Sequence, residues 1–193
     1  MFGDRIKYAF LLVAVFAMIG YSGCILSPDE EPPPPKPESK YLPLTAKENV
    51  LLNLVQCYTD HNIVRYDELL HPDFIWYNQE GLTPQFFDRA TDVDKTGKMF
   101  LAAENKYSDP LLWIELLTLK IYPGTWLQIT EFEQAPCEDC WETTRTYEIS
   151  ARMNGGEKTY VGYDEVRFIL VSVDKGGQRI YQIRRADDIK RPV

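Results

Sequence analysis

From Leu112 onward the chain is written for a sheet. Apolar, branched and aromatic residues dominate residues 112–122, and 126–132 alternates Trp126, Gln128 and Thr130 with Leu127 and Ile129. Residues 141–153, 160–173 and 178–185 continue in the same manner. Pro123-Gly124, Asn154-Gly155-Gly156 and Asp174-Lys175-Gly176-Gly177 stand between these runs. A period of two sends successive side chains to opposite faces of a strand, and clusters of Gly, Pro, Asn and Asp turn the chain. The second half therefore reads as a long antiparallel meander. Such a sheet needs cover on its apolar side, and helices written ahead of it can supply that cover.

Those helices are visible by their period. Thr45 is placed to cap the first, with Glu48 three residues later and Leu44 as a staple. Val50, Leu51, Leu54, Val55 and Tyr58 then recur at helical spacing and predict a helix over residues 46–59. Ile63, Tyr66, Leu69 and Leu70 predict a second over 62–70, stopped by Pro72. Phe74-Ile75-Trp76-Tyr77 reads as a short strand, and Thr83-Pro84 as the start of a third helix that Gly97 can break. Asp109-Pro110 closes the helical half. The expected fold is α+β, with helices packed on a strongly curved antiparallel sheet.

The beginning of the chain obeys other rules. Arg5 and Lys7 precede an apolar run over residues 8–20, and small Ser22-Gly23 follows, so residues 1–23 read as an export signal. Four prolines at 32–35 and another at 37 lack backbone donors and favour an extended conformation, which makes 24–40 a stiff tether and 41–193 the domain. Tyr21-Ser22-Gly23-Cys24 resembles the lipobox of bacterial lipoproteins, which implies Cys24 as the lipid attachment site and an N-terminal lipid anchor in the membrane. An uncleaved apolar helix and ordinary secretion are the alternatives, and all three place the domain outside the cytoplasm. Ile25 after the cysteine resembles an outer-membrane sorting signal, so the expected location is the bacterial cell envelope.

A formal net charge of -8 opposes nucleic acid as a partner. No cofactor is implied. His61 and His71 stand alone in sequence, which argues against a metal site. Cys137 and Cys140 flank Glu138-Asp139 in a connection over 133–139 whose composition suits an exposed loop, and an oxidising compartment favours a disulfide between them.

At the last strand, Tyr181-Gln182-Ile183-Arg184-Arg185-Ala186-Asp187-Asp188 resembles the closing strand of the NTF2-like, or SnoaL-like, superfamily. Tyr58, the Leu70-His71-Pro72-Asp73-Phe74 entry into the first strand and the strand over 162–168 agree with it. The resemblance implies a cone-shaped α+β fold. The superfamily joins isomerases, cyclases and dehydratases to plain binding and assembly modules, so a fold of this kind carries little functional information. Enzymatic members imply an acid facing a hydroxyl donor inside the cone, and the matching candidates are Asp73, Tyr58, Tyr77 and Glu115. Asp60-His61-Asn62 reads as a solvated interhelical turn. Trp76, Trp113, Trp126 and Trp141 suit either a pocket for a flat apolar ligand or the core. With no compact reactive constellation in the sequence, the favoured reading is a non-catalytic envelope lipoprotein domain with a ligand-binding or assembly role. Its expected partners are a small apolar ligand and a second copy through the exposed sheet face. The alternative is a small-molecule isomerase, cyclase or hydrolase acting on an apolar substrate in the cone.

Overall fold

The computed structural model describes residues 40–78, 85–106, 113–153 and 159–189. The export signal, Cys24, the proline tether, Thr83-Pro84, Asp109-Pro110 and the Asn154-Gly155-Gly156 turn lie outside the described residues.

Helix α1 spans Lys47–Asp60 and is entered through Ala46, with no side-chain cap. Thr45 does not take the capping place expected of it. The entry is held instead by Asn53, whose buried amide accepts from the Leu42 N–H and donates to the Leu42 carbonyl, each at 2.8 Å. This pair of hydrogen bonds satisfies both polar ends of the side chain inside the fold, which is the condition for burying an amide. Helix α2, Ile63–Leu69, is capped by the Asn62 side chain accepting from the Arg65 N–H at 3.1 Å.

Strand β1, Leu70–Asn78, follows α2 without a turn. Residues 85–88 are not the first turn of a helix; they form strand β2, Gln85–Asp88, antiparallel to β1. The Tyr77 and Phe86 rings, partners in that register, lie 4.7 Å apart, and cross-strand aromatic pairs of this kind stabilise a short ribbon. Helix α3 starts at Arg89, where the Asp88 carboxylate accepts from the Thr91 N–H at 2.8 Å, and runs unbroken to Ala103. Gly97 does not interrupt it, because its bare Cα face lies against Ile63 of α2 and the packing keeps the turn closed.

Strands β3 (Ile114–Ile121), β4 (Leu127–Phe132), β5 (Ala135–Met153), β6 (Thr159–Lys175) and β7 (Gln178–Ile189) complete the sheet. The order is β2-β1-β7-β6-β5-β3, with β4 also paired to β5. Here the expected cone fails. The sheet is open and mixed, neither closed nor strongly curled, and β1 runs parallel to β7 with Trp76 beside Ala186. Hairpin turns force antiparallel neighbours only where strands are consecutive, and β1 reaches β7 across the whole intervening chain.

The connection expected as an exposed loop over 133–139 is a two-residue turn. Glu133 and Gln134 both take positive φ, 52° and 66°, the backbone that suits a tight hairpin, and β5 begins at Ala135. Cys137 and Cys140 therefore sit within β5, bonded to one another with Cα atoms 5.7 Å apart. Between them Asp139 accepts from the Trp141 indole N–H at 2.7 Å and the Tyr181 hydroxyl at 3.2 Å. Lys47, the first residue of α1, holds its ammonium 3.3 Å above the Trp141 ring.

The core lies between the helices and one sheet face. Val50, Leu51 and Leu54 of α1, Leu69 of α2 and Phe100 of α3 pack on Val166, Phe168 and Leu170 of β6 and Ile183 of β7. Phe100 is the hub of the helical layer, with the Tyr58 ring edge-on at 5.1 Å and Tyr66 at 6.2 Å.

Candidate functional site

The helices do not fill the sheet face completely. A cavity of about 190 Å³ remains under them. Leu54 and Tyr58 reach it from α1, Tyr66 from α2, and Asp92 and Thr96 from α3. The sheet contributes Trp76 from β1, Leu119 and Ile121 from β3, Tyr147 and Ile149 from β5, and Val166 and Phe168 from β6. Each sheet pair is two residues apart and so shares a face.

Asp92 is the carboxylate in this apolar space. Four residues carry a helix through slightly more than one turn, so Asp92, Thr96 and Phe100 form one stripe of α3, and that stripe is buried. Asp92 is 8 % exposed. The Tyr66 hydroxyl donates to its Oδ2 at 2.6 Å. Burial lifts the Asp92 carboxyl above the ordinary carboxylate range, and the Tyr66 hydrogen bond and the Lys95 charge offset that rise only in part. Burial likewise pushes the Tyr58 and Tyr66 phenols well above their usual value, helped by the neighbouring Asp92 charge. The site thus offers one acid that holds its proton more tightly than an ordinary carboxyl and phenols that keep their protons.

Of the residues singled out from the sequence, Tyr58 lines the cavity and the other three do not. Asp73 is 72 % exposed at its side chain and lies near His71 on the surface. Glu115 points outward from β3 and pairs with Arg152 at 3.1 Å. Tyr77 faces away because its neighbour Trp76 faces in; it lines a groove on the opposite sheet face with Arg167, Arg185 and Asp187. There Asp187 accepts from both guanidinium groups and is itself buried. Of the four tryptophans Trp76 alone is among the lining residues. Trp126 donates to Glu48 at 3.0 Å, and Trp141 carries Lys47. Among the described residues no group of three His, Cys, Asp or Glu side chains is placed to hold a metal ion.

Asp92, Tyr66 and Thr96 do not stand out as site residues in the sequence. The signal is present as an Asp and a Thr four residues apart in line with Phe100, but an acid in a helix reads first as solvated surface.

No protein-family model and no curated protein matches the sequence. Solved structures do match in shape. A protein described as a candidate aromatic ring hydroxylase from Novosphingobium aromaticivorans aligns with a TM-score of 0.53 at 13 % identity, covering 75 % of this chain and 86 % of its own. An NTF2-like superfamily protein from Salmonella enterica gives 0.51 at 8 % identity, covering 72 % and 84 %. The likeness is to the α+β arrangement of NTF2-like structures, without the strong curl of their cone. A conserved protein from Planctomyces limnophilus, at 0.50 and 10 % identity over 74 % and 94 %, agrees. At these identities the likeness shows the fold alone.

Proposed function

We propose that the protein acts on a small apolar carbonyl compound in the cavity under the helices, moving a proton as an isomerase, cyclase or hydrolase of that substrate class does. The observation that carries this reading is the buried Asp92 carboxyl held by Tyr66 inside an otherwise apolar space. An acid lifted toward neutrality suits general acid–base work, since it is basic enough to take a proton and acidic enough to return it. In the step proposed, the Asp92 carboxylate removes a proton from the carbon next to the carbonyl. The electron pair of that C–H bond passes to the carbonyl oxygen, where the Tyr58 hydroxyl donates a hydrogen bond to the developing charge. Protonated Asp92 then returns the proton to carbon, and the electron pair withdraws from oxygen.

The sequence offers no inward-facing acid and so favours a non-catalytic domain; Asp92 supplies the missing group and favours the alternative. The test is deuterium wash-in from heavy water into a panel of cyclic ketones, followed by mass spectrometry. Asp92→Asn is expected to reduce exchange by about 10²–10⁴-fold, and Tyr58→Phe by roughly 10²-fold. Exchange that is unchanged in Asp92→Asn would remove the proton-transfer role.

We also propose, from the sequence alone, that the domain works outside the cytoplasm, tethered through Cys24 and the proline-rich segment.

A further inference from the structure

The cavity has a composition that proton transfer does not require. Among the described lining residues five are aromatic, namely Tyr58, Tyr66, Trp76, Tyr147 and Phe168, and one, Asp92, is a carboxylate. No Lys, Arg or His is among the described lining residues. The nearest cation on the same helix, Lys95, is turned to the Phe87 ring, 4.6 Å from its centroid. Tyr58 and Tyr66 stand almost perpendicular, 70° between planes with centroids 6.2 Å apart, so their rings form a corner and not a stack.

An anion entering this space would lose its hydration and meet a carboxylate and electron-rich rings, with no positive charge among the described lining residues to receive it. A cation meets the reverse. Aromatic faces attract it through their quadrupoles, and an ionised carboxylate in a dry site attracts it far more strongly than in water. We propose that the cavity is a receptor for a compact alkylammonium ion, which sits among these rings with the ionised Asp92 as its counter-charge. At about 190 Å³ the space is somewhat larger than the ~150 Å³ cavity that takes a benzene molecule, which matches a tetra-substituted ammonium with a short tail. This occupant shares the cavity with the proton-transfer reading but does not need the catalytic step. Paired with the ammonium, Asp92 is a poor base, so the ion blocks that reaction.

Binding is tied to a proton. The groups facing Asp92 are Tyr66 from α2, Tyr58 from α1, Tyr147 across the cavity from β5, and Lys95 and Thr96 on its own helix. Tyr58 and Tyr66 hold their protons above the ordinary phenol range, so the charge that changes as the solution is acidified is that of Asp92. The ammonium binds the ionised form and expels the proton. Its affinity therefore falls as pH falls through the raised Asp92 value.

The experiment is calorimetric titration of the full-length protein at about pH 8 and at the lowest pH at which it stays folded. The probes are choline, its neutral tert-butyl analogue in which carbon replaces nitrogen, and the matching tert-butyl carboxylate. Choline is expected to bind at least roughly tenfold tighter than the neutral analogue at the higher pH, to lose most of that advantage at the lower, and to lose it at both in Asp92→Asn. The carboxylate is expected not to bind. Equal affinity of the neutral analogue, saturable binding of the carboxylate, pH-independent choline binding or no choline binding each overturns the proposal. The two pH values are compared on the wild-type protein, so the proposal stays falsifiable even if Asp92→Asn fails to fold. Ketone exchange without choline binding sinks this inference and leaves the catalytic reading intact. Choline binding without exchange does the opposite.

Discussion

Asp92 is the residue whose placement has the largest consequences, and stability is one of them. Its proton is held more tightly in the folded protein than in the unfolded chain, since burial raises its pKa above the ordinary value of 3.8. Such a group contributes stability that is complete below the unfolded value and is lost as pH rises through the folded one. Other carboxylates run the opposite way: Asp139 and Glu148 are held below their usual range by hydrogen bonds that outweigh burial. The difference between wild type and Asp92→Asn isolates the buried acid. Urea midpoints across the acid-to-neutral range should show wild type losing ground to the variant as pH rises, and a constant difference would count against a raised Asp92. Cys57 obeys the same physics. It is fully buried, and desolvation is the first cause lifting its thiol to about 12. It should resist iodoacetamide in native protein and react after unfolding, as peptide mass mapping can show. Tyr58 was legible because an aromatic in a regular apolar stripe points inward. Asp92 was not, because nothing local distinguishes a buried acid from an exposed one.

Elements with local causes could be read from the sequence, and those with distant causes could not. The span of α1 follows from its apolar repeat, but its entry is held by Asn53 reaching back to Leu42 in the segment before the helix, while Thr45 plays no capping part. Glu48, expected to complete a capping box, instead accepts from the Arg145 guanidinium at 2.8 Å. Arg145 is 1 % exposed at its side chain and Glu48 49 %. Removing Glu48 leaves a buried positive charge with less compensation, so Glu48→Ala should cost about 2 kcal/mol in urea unfolding, below the full penalty for a buried pair because one partner is wet. A loss under about 0.5 kcal/mol would place the pair with ordinary surface bridges. Gly97 gives a prediction of opposite sign. It lies inside α3, where glycine is unfavourable, and an added Cβ would meet Ile63 Cγ1 at 3.5 Å, an ordinary contact. Gly97→Ala should therefore stabilise by about 0.5–1 kcal/mol, read by the same titration.

At the scale of the molecule, the last hairpin was legible, and the β1–β2 ribbon, the β4–β5 turn and the closing pairing were not. Gly176 and Gly177, both at positive φ, announce the β6–β7 turn in two residues, whereas the parallel contact of β1 with β7 leaves no local mark. That contact shapes the cavity, because it brings Trp76 beside the last strand and over the space that Asp92 enters from α3. The site is thus assembled from opposite ends of the domain, which is why no short motif records it. The N-terminal segment raises a different question, namely where the substrate is met. On the proposal that its apolar run, small residues and Cys24 serve export and acylation, the six prolines at 28, 32–35 and 37 would form a stiff tether behind the anchor. So tethered, a cavity with an apolar lining would meet compounds that partition into the same membrane. Metabolic labelling with a clickable fatty acid should mark the wild-type chain and not Cys24→Ala, with the labelled protein recovered in the membrane fraction. Label retained in Cys24→Ala would place any acyl group elsewhere. An unlabelled wild-type chain that still sediments with membranes would point to the apolar run itself as the anchor.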